Sequence, residues 1–286
     1  MTQAPPFITW QPGTRLEALS ARVFAGDVVV FERLAPVTAI GARARQLVET
    51  VFQDRDPETA EGRLSPAAFR AAAMAARKHV RTDPEIDQHW RALMGTIGYG
   101  GAGTLHRDRI RLRVVPSQPA AQGRFVRPLA PHRDSWGSGF RAQINWWMPL
   151  YPLAATRTMV LWPDLFAKPV HNTAADWDYA TLISRSVPNY PLLPVATERL
   201  PADPLPVTIP PGSLIAFAAT HLHASATDTS GRSRLSLDTR TVWEPDVTAG
   251  RGAPDVDGAG RPPRWDMFDR DVPPLGIANP APLSSA

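Results

Sequence analysis

Near residue 104 the chain changes its hydrophobic period, and that switch limits what it can fold into. Before it, apolar residues recur at helical spacing. Ile40, Ala44, Leu47, Val48 and Val51 share one face of the segment 36–52. Ser65-Pro66 reads as an N-cap with proline at the first helical position, opening an alanine-rich helix. Asp83-Pro84 repeats that signal ahead of Ile86, Trp90, Leu93, Met94 and Ile97, and the glycine-rich stretch 98–103 ends the helix. Only 28–31, a β-rich run, interrupts this series. After residue 104 the period is two: Arg109, Arg111 and Arg113 alternate with Ile110, Leu112 and Val114. Further strands are expected at 140–148, 158–162, 213–217, 220–227 and 234–243, separated by connections that hold much of the chain's 31 prolines.

Helices followed by short strands predict an α+β fold, a double sheet or barrel with helices packed on one side. The length of 286 residues suits a single domain, 1–286. Within it, 1–103 reads as a mainly helical region, 104–243 as a β core and 244–286 as a Pro/Gly-rich extension. Trp265, Met267 and Phe268 give that extension apolar anchors that could pack over a site; a disordered tail is the alternative.

The chain has no cysteine, which removes disulfides, thiol nucleophiles, iron–sulfur clusters and Cys-type zinc sites together. Any metal must be held by His, Asp or Glu. The net charge of +4 is mild and spread along the chain, so no nucleic-acid partner is expected. No apolar run is long enough to span a bilayer, and the first residues lack the pattern of a secretory signal, so the expected location is the cytoplasm with no membrane partner.

Two elements carry candidate chemistry. The first is Pro131-His132-Arg133-Asp134-Ser135-Trp136. In a strand, residues two apart point the same way, so His132 and Asp134 could reach one metal ion. Alone, such a pair is a weak signal and reads more readily as an exposed polar turn. The second runs from Pro210-Pro211-Gly212 through Thr220-His221-Leu222-His223-Ala224-Ser225 to a turn at 228–231 and Arg234-Leu235-Ser236-Leu237-Asp238-Thr239-Arg240. Its strict alternation reads as a β-hairpin with His221, His223 and Ser225 on one face and Arg234, Ser236, Asp238 and Arg240 on the other strand. A polar row inside a sandwich is costly unless paired. It therefore faces either solvent or a polar cavity, and the two His-bearing elements together favour a cavity with a metal. Imidazole and carboxylate are donors suited to Fe(II) with open coordination positions. Periodicity does not choose between His221 and His223.

These residues, with the Asn-Trp-Trp strand at 145–147, resemble the Fe(II)/2-oxoglutarate dioxygenases of the phytanoyl-CoA-hydroxylase-like group over roughly residues 104–243. The resemblance implies a double-stranded β-helix (jelly-roll, cupin-like) core. It implies that His132, Asp134 and His223 hold Fe(II), that Arg234 clamps the distal carboxylate of 2-oxoglutarate, and that Ser225 is a cosubstrate-binding hydroxyl. Trp147 falls near a tryptophan of the cosubstrate pocket, with an alignment that could slip by one to Trp146. Gln143, Asn145 and Trp147 would share a pocket-facing strand face. The arginine fork suits a bidentate carboxylate contact. His223 is preferred over His221, for which a satisfied core or rim position is the blander reading. The implied activity is oxidation by O₂ of a C–H bond in a small-molecule substrate, most simply hydroxylation, with desaturation or ring closure as variants; a place in secondary metabolism follows by analogy alone. Halogenases of this type lack the carboxylate that Asp134 supplies, so oxygenation is expected. Asp228 stands where the family often has Asn, a change confined to a turn.

Arg111 and Arg113 are further candidates for binding an anionic part of the substrate, against the reading of a solvated edge strand. The stretch 98–103 lacks the Lys-Ser/Thr ending of a P-loop. The rival functions are a cupin-like metalloenzyme using no 2-oxo acid, and a non-catalytic barrel that binds a small anion or a partner protein.

Overall fold

Four helices carry the first part of the chain: α1 (Leu16–Phe24), α2 (Ala35–Phe52), α3 (Pro66–Thr82) and α4 (Pro84–Ile97). The computed structural model describes residues 7–99, 103–226 and 228–271. Both proline-marked caps form as the sequence predicts. Ser65 Oγ accepts from Ala68 N at 3.3 Å, and Asp83 Oδ1 accepts from Ile86 N at 2.9 Å. Gly98 closes α4 at φ 108°, a left-handed conformation natural only to glycine. Residues 100–102, where a flexible connection or lid is expected, lie outside the described residues.

The described strands form two sheets. The larger holds β1 (Phe7–Thr9), β2 (Val28–Phe31), β3 (Leu105–Arg107), β4 (Arg111–Val115), β5 (Gln143–Pro149), β8 (Leu214–Ala218), β10 (Arg234–Trp243) and β11 (Asp269–Asp271). The smaller holds β6 (Met159–Leu161), β7 (Leu205–Pro206) and β9 (His223–Ser225). Pairing is antiparallel except between β1 and β2. The segment 129–132 runs beside β9, with Ser225 N donating to Leu129 O at 3.0 Å and His132 bridged to His223. The core order β4-β10-β5-β8 therefore stands against 129–132, β9, β6 and β7. From β4 onward the chain passes repeatedly from one sheet to the other. That alternation is the double-stranded β-helix, or jelly-roll, and the fold class is the expected one.

The two-residue period sorts side chains between two cores. On the outer face of the larger sheet, Phe31, Ile144, Trp146, Met148 and Ala216 join the apolar faces of the helices. Trp146 lies edge-on to Trp90 of α4 with ring centroids 5.6 Å apart. On the inner face Val28, Val30, Trp147, Ile215 and Phe217 meet Met159, Leu161, Val207 and Ile209. Beside this inner core, and sharing Trp147, Met159 and Phe217 with it, opens a cavity of about 640 Å³.

The hairpin expected over 220–240 is not formed. β9 pairs with β6 in the smaller sheet, while β10 lies between β5 and the β3/β4 pair in the larger one. Residues 219–222 turn instead of extending the strand. Alternation specifies which face of a strand is buried and says nothing of its neighbour.

The C-terminal extension packs as far as it is described. Ala253 N donates to Arg141 O and Arg264 N to Ser138 O, each at 2.9 Å. Trp265 and Phe268 both stack on Phe140, and β11 pairs with β3. Residues 272–286 lie outside the described part. Among the described residues no helix is long and apolar enough to cross a membrane.

Candidate metal centre

His132, Asp134 and His223 converge at one end of the cavity, with one potential ligand atom from each within 4.8 Å of the others. Among the described residues they form the only such cluster. His132 ends the segment beside β9, and His223 begins β9. Asp134 is not on a strand: its backbone is helical, φ −67° and ψ −29°, leading into the short helix α5 (Ser135–Ser138). The two residues of the His-x-Asp pair thus converge through a turn and not through the pleat of a strand.

The imidazoles are oriented from behind. His132 Nδ1 lies 2.8 Å from Ala130 O, and His223 Nδ1 lies 3.0 Å from His221 O. A carbonyl can only accept, so each Nδ1 carries the proton and each Nε2 keeps its lone pair for a cation. His223 Nε2 lies 3.8 Å from Asp134 Oδ2. Asn145 Nδ2 donates to that same carboxylate oxygen at 2.7 Å, and Gln143 Nε2 donates to Asn145 Oδ1 at 2.7 Å. Burial, then the neighbouring His223, pushes His132 down to about 3, so it is neutral at ordinary pH. Burial would raise Asp134, but His223, His132 and Arg240 outweigh it and hold the carboxylate below its usual range. Two imidazoles and one carboxylate fit a divalent cation of the non-haem iron type.

Arg133, between two of these residues in sequence, points the other way and is 1% exposed. Its guanidinium donates to the carbonyls of Leu165 at 2.7 Å, Phe166 at 3.1 Å, Lys168 at 2.8 Å, and also Thr220. Arg133 Nε lies 3.1 Å from Asp257 Oδ2. Asp257 also accepts from Trp136 Nε1 at 2.8 Å and from Val170 N at 2.9 Å. The C-terminal extension thereby holds the loop that carries two of the three clustered residues.

Arg234 reaches across from the larger sheet. It is 4% exposed, its Nη2 donates to Ser225 Oγ at 3.2 Å, and its Cζ lies 5.9 Å from the centre of the Trp147 ring. Its Nε and Nη1 are buried with no partner in the protein. Burial, then the charge of Arg113, pushes it down to about 9, still protonated at neutral pH. A buried guanidinium with two unused donors at a cavity wall is a receptor for an anion. It adjoins Ser225 because the gap between the sheets brings them together, not because they share a hairpin.

The remaining candidates divide. Asn145, Trp146 and Trp147 all contribute to the cavity wall, but the Trp146 ring packs on the helices, with its Nε1 donating to Thr241 Oγ1 at 2.8 Å. Gln143 is fully buried behind Asn145 and is not among the lining residues. Arg111 and Arg113 both line the cavity; Arg111 pairs with Asp108, and Arg113 with Asp238. His221 stands apart from the cluster. Its Nε2 lies 3.0 Å from Gly26 O, its ring packs near Phe166 and Phe217, and burial pushes it down to about 4.

Arg77 and Arg81 of α3, and Arg124, also line the cavity and were not singled out from the sequence. Arg77 and Arg81 lie one helical turn apart, a spacing that could have flagged a shared basic face. Arg124 sits in an irregular segment that gives no periodic signal.

The chain matches no protein-family model and no curated protein sequence. Solved structures similar to it include the non-heme monooxygenase ThoJ in apo form, at 15% identity and TM-score 0.42, covering 73% of this chain and 69% of that one. Another is the non-heme alpha ketoglutarate dependent carbocyclase SnoK from nogalamycin biosynthesis, at 15% identity and TM-score 0.41, covering 92% and 100%. A third is the epimerase SnoN in complex with Fe3+, alpha ketoglutarate and nogalamycin RO, at 18% identity and TM-score 0.40, covering 79% and 83%.

Proposed function

We propose that the chain is a non-haem Fe(II)/2-oxoglutarate-dependent oxygenase that oxidises, most simply hydroxylates, a C–H bond of a small organic molecule. The observation that carries this reading is the pairing of two features in one cavity: the His132/Asp134/His223 cluster and the buried Arg234 with two unused donors. A metal-only cupin-type enzyme has no use for that second feature.

In this reading His132, Asp134 and His223 are the residues that would hold Fe(II). When bound, the metal with 2-oxoglutarate and O₂ supplies the oxidising chemistry, with succinate and CO₂ as by-products. The residues supply placement. Arg234, whose guanidinium keeps buried donors unused by the protein, would receive the distal carboxylate of the cosubstrate, and Ser225 would steady that guanidinium by accepting from Nη2. Trp147 walls the same side. Asn145, itself held by Gln143, fixes the oxygen of Asp134 that faces His223.

Anaerobic titration with Fe(II) and then 2-oxoglutarate tests this. A saturable visible absorption band of the chelated cosubstrate is expected. Asp134→Ala should abolish it, and Arg234→Ala should weaken cosubstrate binding by about 100-fold, the value of one or two lost charge-assisted hydrogen bonds. Iron binding without a band would favour the metal-only enzyme. No iron binding would overturn the reading.

A further inference from the structure

The cavity holds more positive charge than an iron centre and its cosubstrate can use. Ten arginines line it against five aspartates, and no lysine or glutamate does. Fe(II) and a 2-oxoglutarate dianion cancel each other, so an excess of five positive charges is left. Part of the wall is internally paired: Arg240 and Arg111 meet Asp108, Arg109 meets Asp269, Arg113 meets Asp238, and Arg133 meets Asp257 behind the wall. Among the described residues no carboxylate lies within ion-pair distance of Arg77, Arg81, Arg124 or Arg185.

Two of these unpaired arginines converge. The Cζ atoms of Arg77 and Arg124 lie 5.8 and 5.6 Å from the centre of one ring, that of Phe125. Arg77 is also close enough to Arg113 for the two charges to repel, and Arg113 stands in the same relation to Arg234. Exposure falls along this series: Arg124 is exposed, Arg77 and Arg113 half-buried, and Arg234 buried. Four guanidinium groups share a single carboxylate here, Asp238, and such an excess of like charge is unfavourable unless an anion bridges it. A volume of about 640 Å³ also exceeds what a five-carbon diacid fills and falls in the range of ligand-sized pockets.

We propose that Arg77, Arg113 and Arg124 form a second anion cradle around Phe125, and that the substrate carries an oxyanion, phosphate or carboxylate, which docks there. As a statement about substrate this rests on the oxygenase reading above; as a statement about anion binding it stands alone. Both oxyanions accept two parallel hydrogen bonds from a guanidinium. The substrate would enter with its charged end at the mouth and its reacting carbon toward His132 and Asp134.

The test uses the full chain loaded anaerobically with Fe(II) and saturating 2-oxoglutarate, so that Arg234 is already engaged. Isothermal titration follows two probes, inorganic pyrophosphate for the phosphate class and benzoate for the carboxylate class. At least one should bind saturably, and the tighter of the two names the class. Arg77→Gln/Arg124→Gln should weaken that probe about tenfold or more. The visible cosubstrate band and its titration midpoint should stay as in the unmodified protein, showing an intact fold and metal site. Binding of neither probe, or equal binding in the double variant, would overturn the cradle. If the band never forms but a probe binds with the stated dependence on Arg77 and Arg124, the cradle stands and the oxygenase reading falls.

Discussion

The carboxylate of Asp134 is where one side chain can be separated from the machinery it serves. Asn145 donates to its Oδ2 and Gln143 holds Asn145, so the oxygen facing His223 is positioned by a chain of two amides. Asn145→Leu keeps the branching at Cγ but removes the donor. Groups that orient metal-binding side chains are typically worth about 10–100-fold in metal affinity. That loss is expected here, measured as Fe(II) affinity by anaerobic competition with a chromophoric chelator. An unchanged affinity would mean that Asp134 is placed by the backbone of its turn alone. At this scale the sequence was informative where residues form a joint pattern. His132, Asp134 and His223 stood out together, through the resemblance that both elements carry; alone, the His-x-Asp pair reads as a polar turn, and Asp134 does sit at a turn. Arg77 and Arg124 did not, because an arginine on an alanine-rich helix or in a loop is ordinarily a solvated charge.

Between elements, the C-terminal extension is joined to the metal-bearing loop by a buried ion pair. Arg133 and Asp257 have side chains 1% and 5% exposed, and Asp257 is also held by Trp136 Nε1 and Val170 N. Asp257→Asn preserves shape and removes the counter-charge, leaving a buried guanidinium that meets only carbonyl oxygens. Breaking one side of such a pair typically costs about 3–5 kcal/mol. Chemical denaturation should show a loss of that size, with weaker iron retention because Arg133 sits between His132 and Asp134. A change below about 1 kcal/mol would place the pair among those that contribute little. The sequence marked Trp265, Met267 and Phe268 as anchors of this extension, yet it could not pair Arg133 with Asp257, 124 positions apart. The same blindness produced the false hairpin. The limits of β10 were read correctly at 234–243, as were the caps at Ser65 and Asp83, because caps and alternation are local signals. The partner of β9 is decided by how the whole chain winds between two sheets.

For the molecule as a whole, that winding forces polar groups into the space between the sheets, and its cost should appear as sensitivity to acid. Burial pushes His132 down to about 3 and His221 to about 4, whereas both return to the ordinary value of 6.5 in the unfolded chain. Above 6.5 neither state binds a proton at these rings, and stability does not vary with pH on their account. Below it the unfolded chain takes up protons that the folded one refuses. Stability then falls by about 1.4 kcal/mol per pH unit for each ring, until the folded value is reached. Asp134 and Asp238, both held low, extend the loss below the ordinary carboxylate value of 3.8. Denaturation midpoints of chelator-treated protein should therefore drop steeply between pH 6.5 and pH 4.5. His221→Gln, which removes one of the two rings without touching the metal cluster, should roughly halve the slope over that interval. Added divalent metal should oppose the fall across this whole interval, because folded His132 stays unprotonated there and its Nε2 remains available to a cation. A stability profile flat from pH 7 to pH 4.5 would mean that these histidines are charged inside the fold, and with that the neutral-imidazole basis of the metal centre would fail.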